Sequence, residues 1–142
     1  LARDLLKSYG LLDAAKLTVV VGNHDVYGGV HVAEDILNFP GRCRVTDYER
    51  KLERFHEYFR ETFDGARFAS ETRFCPFTKA FGEVVFIGVN SVRRYSPLSN
   101  PIGSNGCVGD HQQRLVKQLL SDSLLRRHRR HVAGRQDLPC RR

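Results

Sequence analysis

Four consecutive residues, Gly22-Asn23-His24-Asp25, concentrate the chain's chemical potential. The side-chain carbonyl of Asn23 is an oxygen donor that suits a hard or borderline divalent cation. The imidazole of His24 can hold or donate a proton at an oxyanion, and a carboxylate such as Asp25 can orient a ring of that kind. Gly22 has no Cβ and admits a sharp turn. At an average usage of about 5% per residue, a given tetrapeptide arises by chance in about one chain in a thousand of this size, so the string is a specific signal. Asn, His and Asp are also good turn formers, and a plain surface turn is the bland alternative. Two nearby residues, Tyr27 and His31, could line the same pocket. Tyr27 could equally pack against its neighbours, and His31 could be simple polar surface.

Such side chains need an element to deliver them. Residues 17–21, Leu-Thr-Val-Val-Val, form a continuous β-branched run of the kind found in a strand buried on both faces. The spacing predicts a strand there, ending at Gly22 and leading into a polar, Gly-rich loop that holds Asn23, His24, Asp25, Tyr27, Gly28 and Gly29. In open α/β sheets the loop at the carboxyl end of a strand is the usual place for ligand chemistry.

The remaining elements follow from periodicity. Residues 1–9 read as a helix stopped by Gly10. Residues 47–63 read as a helix with Leu52, Phe55, Tyr58, Phe59 and Phe63 on one side, an aromatic stripe best explained as core. His56 interrupts the polar face of that helix and is predicted to be solvated. Short extended pieces are predicted at 66–69 and 74–81, then a second buried-type strand at 84–89 closed by Asn90 and Ser91. Arg93 and Arg94 follow the strand end, where they could meet a phosphate or simply lie on a surface loop. After a loop at 95–108, Asp110 and Gln113 form a capping box for a helix whose apolar face is Leu115, Val116, Leu119, Leu120 and Leu124. His111 sits in the first turn of that helix, without an evident role. Strands alternating with helices predict a layered α/β fold.

With these elements in place, Gly22-Asn23-His24-Asp25 after a buried strand resembles the GNHD motif of the calcineurin-like metallophosphoesterases. The supporting layout is similar too: a helix before the strand, an aromatic-rich helix after it, a later strand ending in Asn90-Ser91, a Gly-rich loop at 103–109, and a helix from Asp110 to about Leu125. The resemblance implies part of a four-layer α/β sandwich, two mixed sheets flanked by helices. It implies a hydrolase, phosphodiesterase or phosphatase, that cleaves phosphoester bonds through a hydroxide activated by two divalent metal ions (Mn, Fe, Zn or similar). In that frame Asn23 is a metal ligand, His24 contacts the substrate phosphate and assists the leaving group or the transition-state charge, Asp25 orients His24, and Gly22 completes the motif.

The family's other ligands come from an Asp-x-His and a Gly-Asp-x-x-Asp before this motif, and from a lone His and a Gly-His-x-His after it. None of these is written in the chain: Gly109-Asp110 lacks the second Asp, and His128 and His131 sit in an Arg-rich run rather than a buried strand. The sequence also opens on Leu1 and contains no Met. The expectation is therefore that residues 1–125 are the central part of such a domain and that the isolated chain is nearly inactive. A catalytically inactive truncated or degenerate relative is the alternative.

Charge sharpens the division. Residues 1–125 hold 16 Lys and Arg against 15 Asp and Glu, whereas residues 126–142 hold seven Arg against the single Asp137. The net +7 is thus concentrated in an Arg-rich tail predicted to lie outside the core. Such a tail can arise from a shifted reading frame, or serve as a basic extension that binds nucleic acid or other anions. A composition that is 41% apolar and 27% charged is that of a globular domain rather than a disordered chain. No apolar run is long enough for a membrane span and no signal peptide is visible, so the sequence predicts a cytoplasmic protein without a membrane partner. Cys43, Cys75, Cys107 and Cys140, spaced 32, 32 and 33 residues apart, share no flanking pattern and read as reduced thiols. Neither the oligomeric state nor the identity of the phosphoester substrate is written in the sequence.

Overall fold

The computed structural model describes residues 2–69, 72, 74–101, 103 and 105–121. Its elements are α1 (Ala2–Ser8), α2 (Asn23–Tyr27), α3 (Ala33–Val45), α4 (Tyr48–Tyr58), a 3-10 turn (Arg60–Phe63), β1 (Arg67–Phe68), β2 (Phe77–Phe81), β3 (Val84–Gly88) and α5 (Asp110–Ser121). The chain is mixed α and β at this level: helices plus one small antiparallel sheet of order β1-β2-β3.

Local chemistry explains most boundaries. Helix α1 ends where Gly10 takes a left-handed φ of 62°, and α4 starts where the Asp47 side chain accepts the Arg50 N–H. Arg3 of α1 pairs with Glu61, which ties the first helix to the 3-10 turn. Helix α3 has no counterpart among the elements predicted from the sequence, and it carries Pro40 and Gly41 in its interior. Its start is nevertheless well satisfied: the Asp35 carboxylate accepts the N–H groups of His31 at 2.8 Å and Val32 at 3.2 Å. Those two bonds hold the Asp35 carboxyl below its ordinary range.

The sheet is built on a hairpin. Phe77 pairs with Gly88 and Phe81 with Val84, leaving Gly82 and Glu83 as a two-residue turn. Gly82 has φ 57°, the positive value that the first position of a II′-type hairpin turn requires. Gly88 is needed for a different reason: a Cβ there would stand 2.2 Å from the Phe77 ring. Central β2 buries Phe77, Thr78 and Lys79.

Two strand expectations are corrected. Residues 17–21 form no strand and have no sheet partner among the described residues, and Val20 is 52% exposed. A β-branched run makes a strand only when another strand satisfies its backbone groups. The described strands all lie beyond residue 66 and pair with one another. What holds the segment is instead Lys79, whose Nζ donates to Leu17 O at 3.1 Å and also to Thr62 O. Strand β3, expected to be buried on both faces, is an edge strand with Val84, Phe86 and Ile87 exposed.

The main core gathers Val21, Val26, Tyr27, Phe39, Cys43, Leu52 and Val92, and a smaller one joins Ala69 to Leu115 and Leu119. Helix α5 thus uses the expected face, although Leu124 lies outside the described residues. Its start differs from a capping box: the Gln113 N–H donates to Gly109 O, and the Gln113 side chain reaches back to Val108 O at 2.9 Å. Residues 126–142, with His128, His131 and Cys140, lie outside the described residues.

Candidate functional site

The motif expected in a loop is the single helical turn α2, packed through one side. Val26 and Tyr27 are buried in the main core, while His24 and Asp25 are exposed and Asn23 is partly buried. The inward pair anchors the turn and leaves the polar residues outside. Tyr27 packs into the core: its hydroxyl donates to Arg93 O at 2.7 Å, and burial pushes its pKa up. Gly22 has φ −109°, which any residue can adopt, and a Cβ there would meet Asp25 Oδ2 at an ordinary 3.4 Å. The sharp-turn role expected of Gly22 belongs instead to Gly28, whose φ of 76° ends the helix.

Asp25 is placed differently from expectation. Its Oδ2 accepts the Gly22 N–H at 2.8 Å, folding the carboxylate back onto the start of α2 rather than onto the His24 ring. The side chain brought close to His24 is His31. A Cβ on Gly29 would lie 3.0 Å from His31 Nε2 and 3.6 Å from His24 Nδ1, so the two imidazoles border one small space that Gly29 keeps open. The His31 loop is fixed from behind, because Arg42 donates to Gly29 O at 3.1 Å and stands 3.5 Å from the Asp35 carboxylate.

Asn23 and His24 also border a half-open cavity of about 270 Å³, lined further by Gly28, Val30, Ile36, Phe39, Pro40 and Pro101. The arrangement can present an amide oxygen and an imidazole to a group entering that cavity. It does not make a metal centre by itself: among the described residues no group of three or more His, Cys, Asp and Glu side chains could hold a metal ion.

Other candidates fall outside this site. Arg94 is engaged with Glu49 and lies over the Tyr48 ring at 5.4 Å, and Arg93 contributes its carbonyl to Tyr27 and Asn100. His56, expected on a solvated face, is drawn into the aromatic stripe. Its ring stacks on Phe63 at 4.7 Å and meets the rings of Phe74 at 5.1 Å and Phe68 at 5.7 Å. Its Nε2 is buried without a hydrogen-bond partner, and burial pushes the imidazole pKa down. The signal was available, since His56 falls four residues after buried Leu52, on its helix face.

Sequence reasoning also missed a polar clasp. Gln112 accepts the Asn90 N–H at 2.8 Å and donates to Asn90 O at 2.7 Å. The Asn90 side chain in turn donates to the Tyr48 hydroxyl at 2.9 Å, and Tyr48 donates to Val92 O at 2.7 Å. This network joins the end of the hairpin to α4 and α5. Cys43, Cys75 and Cys107 are free thiols, with Cys75 pushed up to about 12 by burial.

No family model, no curated protein and no solved structure matches the chain. Among the described residues, no helix is long and apolar enough to cross a membrane.

Proposed function

We propose that residues 1–125 are the central part of a calcineurin-like metallophosphoesterase domain, a four-layer α/β sandwich when complete, that hydrolyses phosphoester bonds. The observation that carries this reading is the Gly22-Asn23-His24-Asp25 string with Asn23 and His24 together at the border of one cavity. In the reaction, water oxygen adds to phosphorus and gives up a proton to solvent, the ester P–O bond breaks, and the leaving oxygen takes a proton. Exposed His24 contacts the phosphate and gives the leaving oxygen its proton, a contribution of about 10²–10⁴-fold. Asn23 offers one oxygen to a divalent cation. The described residues alone do not fit a two-metal centre, and the two divalent cations of the complete domain need donors besides Asn23.

The second reading is an inactive relative that binds nucleic acid or another anion through residues 126–142, and it rests on the seven Arg against one Asp of that segment. One experiment separates the two. The coding DNA is read beyond both ends of the chain, and the longest frame is expressed and assayed on bis(p-nitrophenyl) phosphate with and without Mn²⁺. The phosphoesterase reading expects Asp-x-His and Gly-Asp-x-x-Asp upstream, and turnover that needs Mn²⁺ and falls by about 10²–10⁴-fold in His24→Ala. Flanking frames without those motifs, together with no metal-dependent turnover, would refute it.

A further inference from the structure

We infer that the cavity beside His24 is a pocket for an uncharged, apolar ester group, so that the substrate class is a phosphoester carrying an aryl or short alkyl group. This rests on the phosphoesterase reading above and adds the chemistry of the group attached to the phosphate. The cavity has one polar end, Asn23 and His24, and an apolar remainder formed by Val30, Ile36, Phe39 and Pro101. Apart from His24, no ionisable side chain among the described residues lines it. A charged or heavily hydroxylated group would lose its hydration there without gaining hydrogen bonds in return. An apolar group gains instead, because Val30 and Ile36 are 45% and 63% exposed and have apolar surface left to cover.

Size narrows the class further. The volume of about 270 Å³ lies just below the range of about 300–1,000 Å³ typical of sites for drug-sized ligands. An aryl ring or a short alkyl chain fits within such a space, whereas a long acyl chain would extend beyond it. The geometry also sets the order of parts: the phosphate meets the imidazole at the polar end, and the organic group extends along Val30 and Ile36. Phe39 and Pro40, from α3, form the fixed floor, since Phe39 is 7% exposed and belongs to the main core.

The test uses the whole chain, isotope-labelled for NMR, titrated separately with phenylphosphonate, inorganic phosphate and benzyl alcohol. The methyl signals of Val30 and Ile36 and the ring protons of His24 are followed. Phenylphosphonate is expected to shift the methyls and the His24 ring together and to bind at least about tenfold more tightly than inorganic phosphate, equivalent to about 1.4 kcal/mol. Inorganic phosphate is expected to move the His24 ring alone. In Ile36→Asn, an exposed position whose uncharged polar replacement leaves the core intact, the tenfold advantage of phenylphosphonate should vanish while the phosphate response of His24 persists. Equal affinities for the two anions, or His24 shifts without methyl shifts, would overturn the pocket and leave the phosphoesterase reading standing. Methyl shifts with benzyl alcohol, while neither anion moves His24, would count against the phosphate role of His24 and overturn the pocket as a phosphoester site with it.

Discussion

Replacing His56 by Phe should stabilise the fold and remove a dependence on acidity. The ring is wedged among Phe63, Phe68 and Phe74, with centroid separations of 4.7, 5.7 and 5.1 Å, so a phenyl ring of nearly the same outline can occupy the place. What the substitution removes is the buried Nε2, which lacks a partner. Such an atom costs about 1–3 kcal/mol. The ring retains some exposure, and we therefore expect the low end, a gain of about 1 kcal/mol at pH 7.5. The pH dependence has a definite sign. Burial depresses the folded-state pKa below the ordinary 6.5, with the nearby Glu57 charge opposing the shift only in part. The unfolded chain therefore binds the proton first as pH falls. Stability is full above pH 6.5, declines as pH drops through that value, and levels off below the folded-state pKa. Urea unfolding of both proteins at pH 7.5 and 5.5 reads the two effects together. His56→Phe should be the more stable protein at both values, with the larger margin at pH 5.5. The other histidines are common to both proteins and cancel in the difference. A variant that is less stable at pH 7.5, or whose margin does not grow on acidification, would refute the reasoning.

Three further outcomes follow from particular contacts. Gly88→Ala places a methyl 2.2 Å from the Phe77 ring and should cost about 1–3 kcal/mol in urea unfolding, because the hairpin must open to admit it. Gln112→Ala removes both bonds to the Asn90 backbone at 2.8 and 2.7 Å, and should cost about 1–3 kcal/mol at 0.5–1.5 for each, read by the same assay. Iodoacetamide at pH 8 should alkylate exposed Cys107 well before Cys75, whose thiol is held up to about 12 and carries almost no thiolate. Peptide mass spectrometry over time decides the order, and Cys75 reacting first would contradict its burial.

What was legible in the sequence divides along a physical line. The start of helix α4 could be read because its information is local: Asp47 caps it and Leu52 turns inward, but the helix predicted over 47–63 ends at Tyr58, and Phe63 is buried from the separate 3-10 turn. The same holds for α1 and for the Leu115 and Leu119 face of α5. Helix α3 shows the limit of local punctuation. Pro40 lies deep enough in the helix to read as a break, yet the carboxylate of Asp35, Arg42 behind it and the burial of Phe39 and Cys43 outweigh one lost backbone bond. The identity of Asp25, Asn23 and His24 as a group was legible from type and spacing. Their partners were not, since Asp25 turning to Gly22 and His31 coming beside His24 depend on how α3 closes the loop.

Residues 17–21 show why a strand differs from a helix in this respect. A helix satisfies its backbone within its own sequence, but a strand's hydrogen bonds come from elsewhere, so β-branched composition states only a readiness to pair. Here that readiness meets no neighbouring strand among the described residues. The buried ammonium of Lys79, 4% exposed and with its pKa lowered by burial, takes over part of the task by donating to Leu17 O and Thr62 O. A cation spent on two neutral carbonyls is a weak substitute for a ladder. The segment that leads directly into Asn23 and His24 is thus held at its start by Lys79 and at its end by Val21 in the core, while Val20 between them faces solvent. Precise placement of catalytic side chains requires a rigid support. Under the proposed function, pairing of residues 17–21 with further strands of the complete sandwich would therefore both cover Val20 and stiffen the approach to His24.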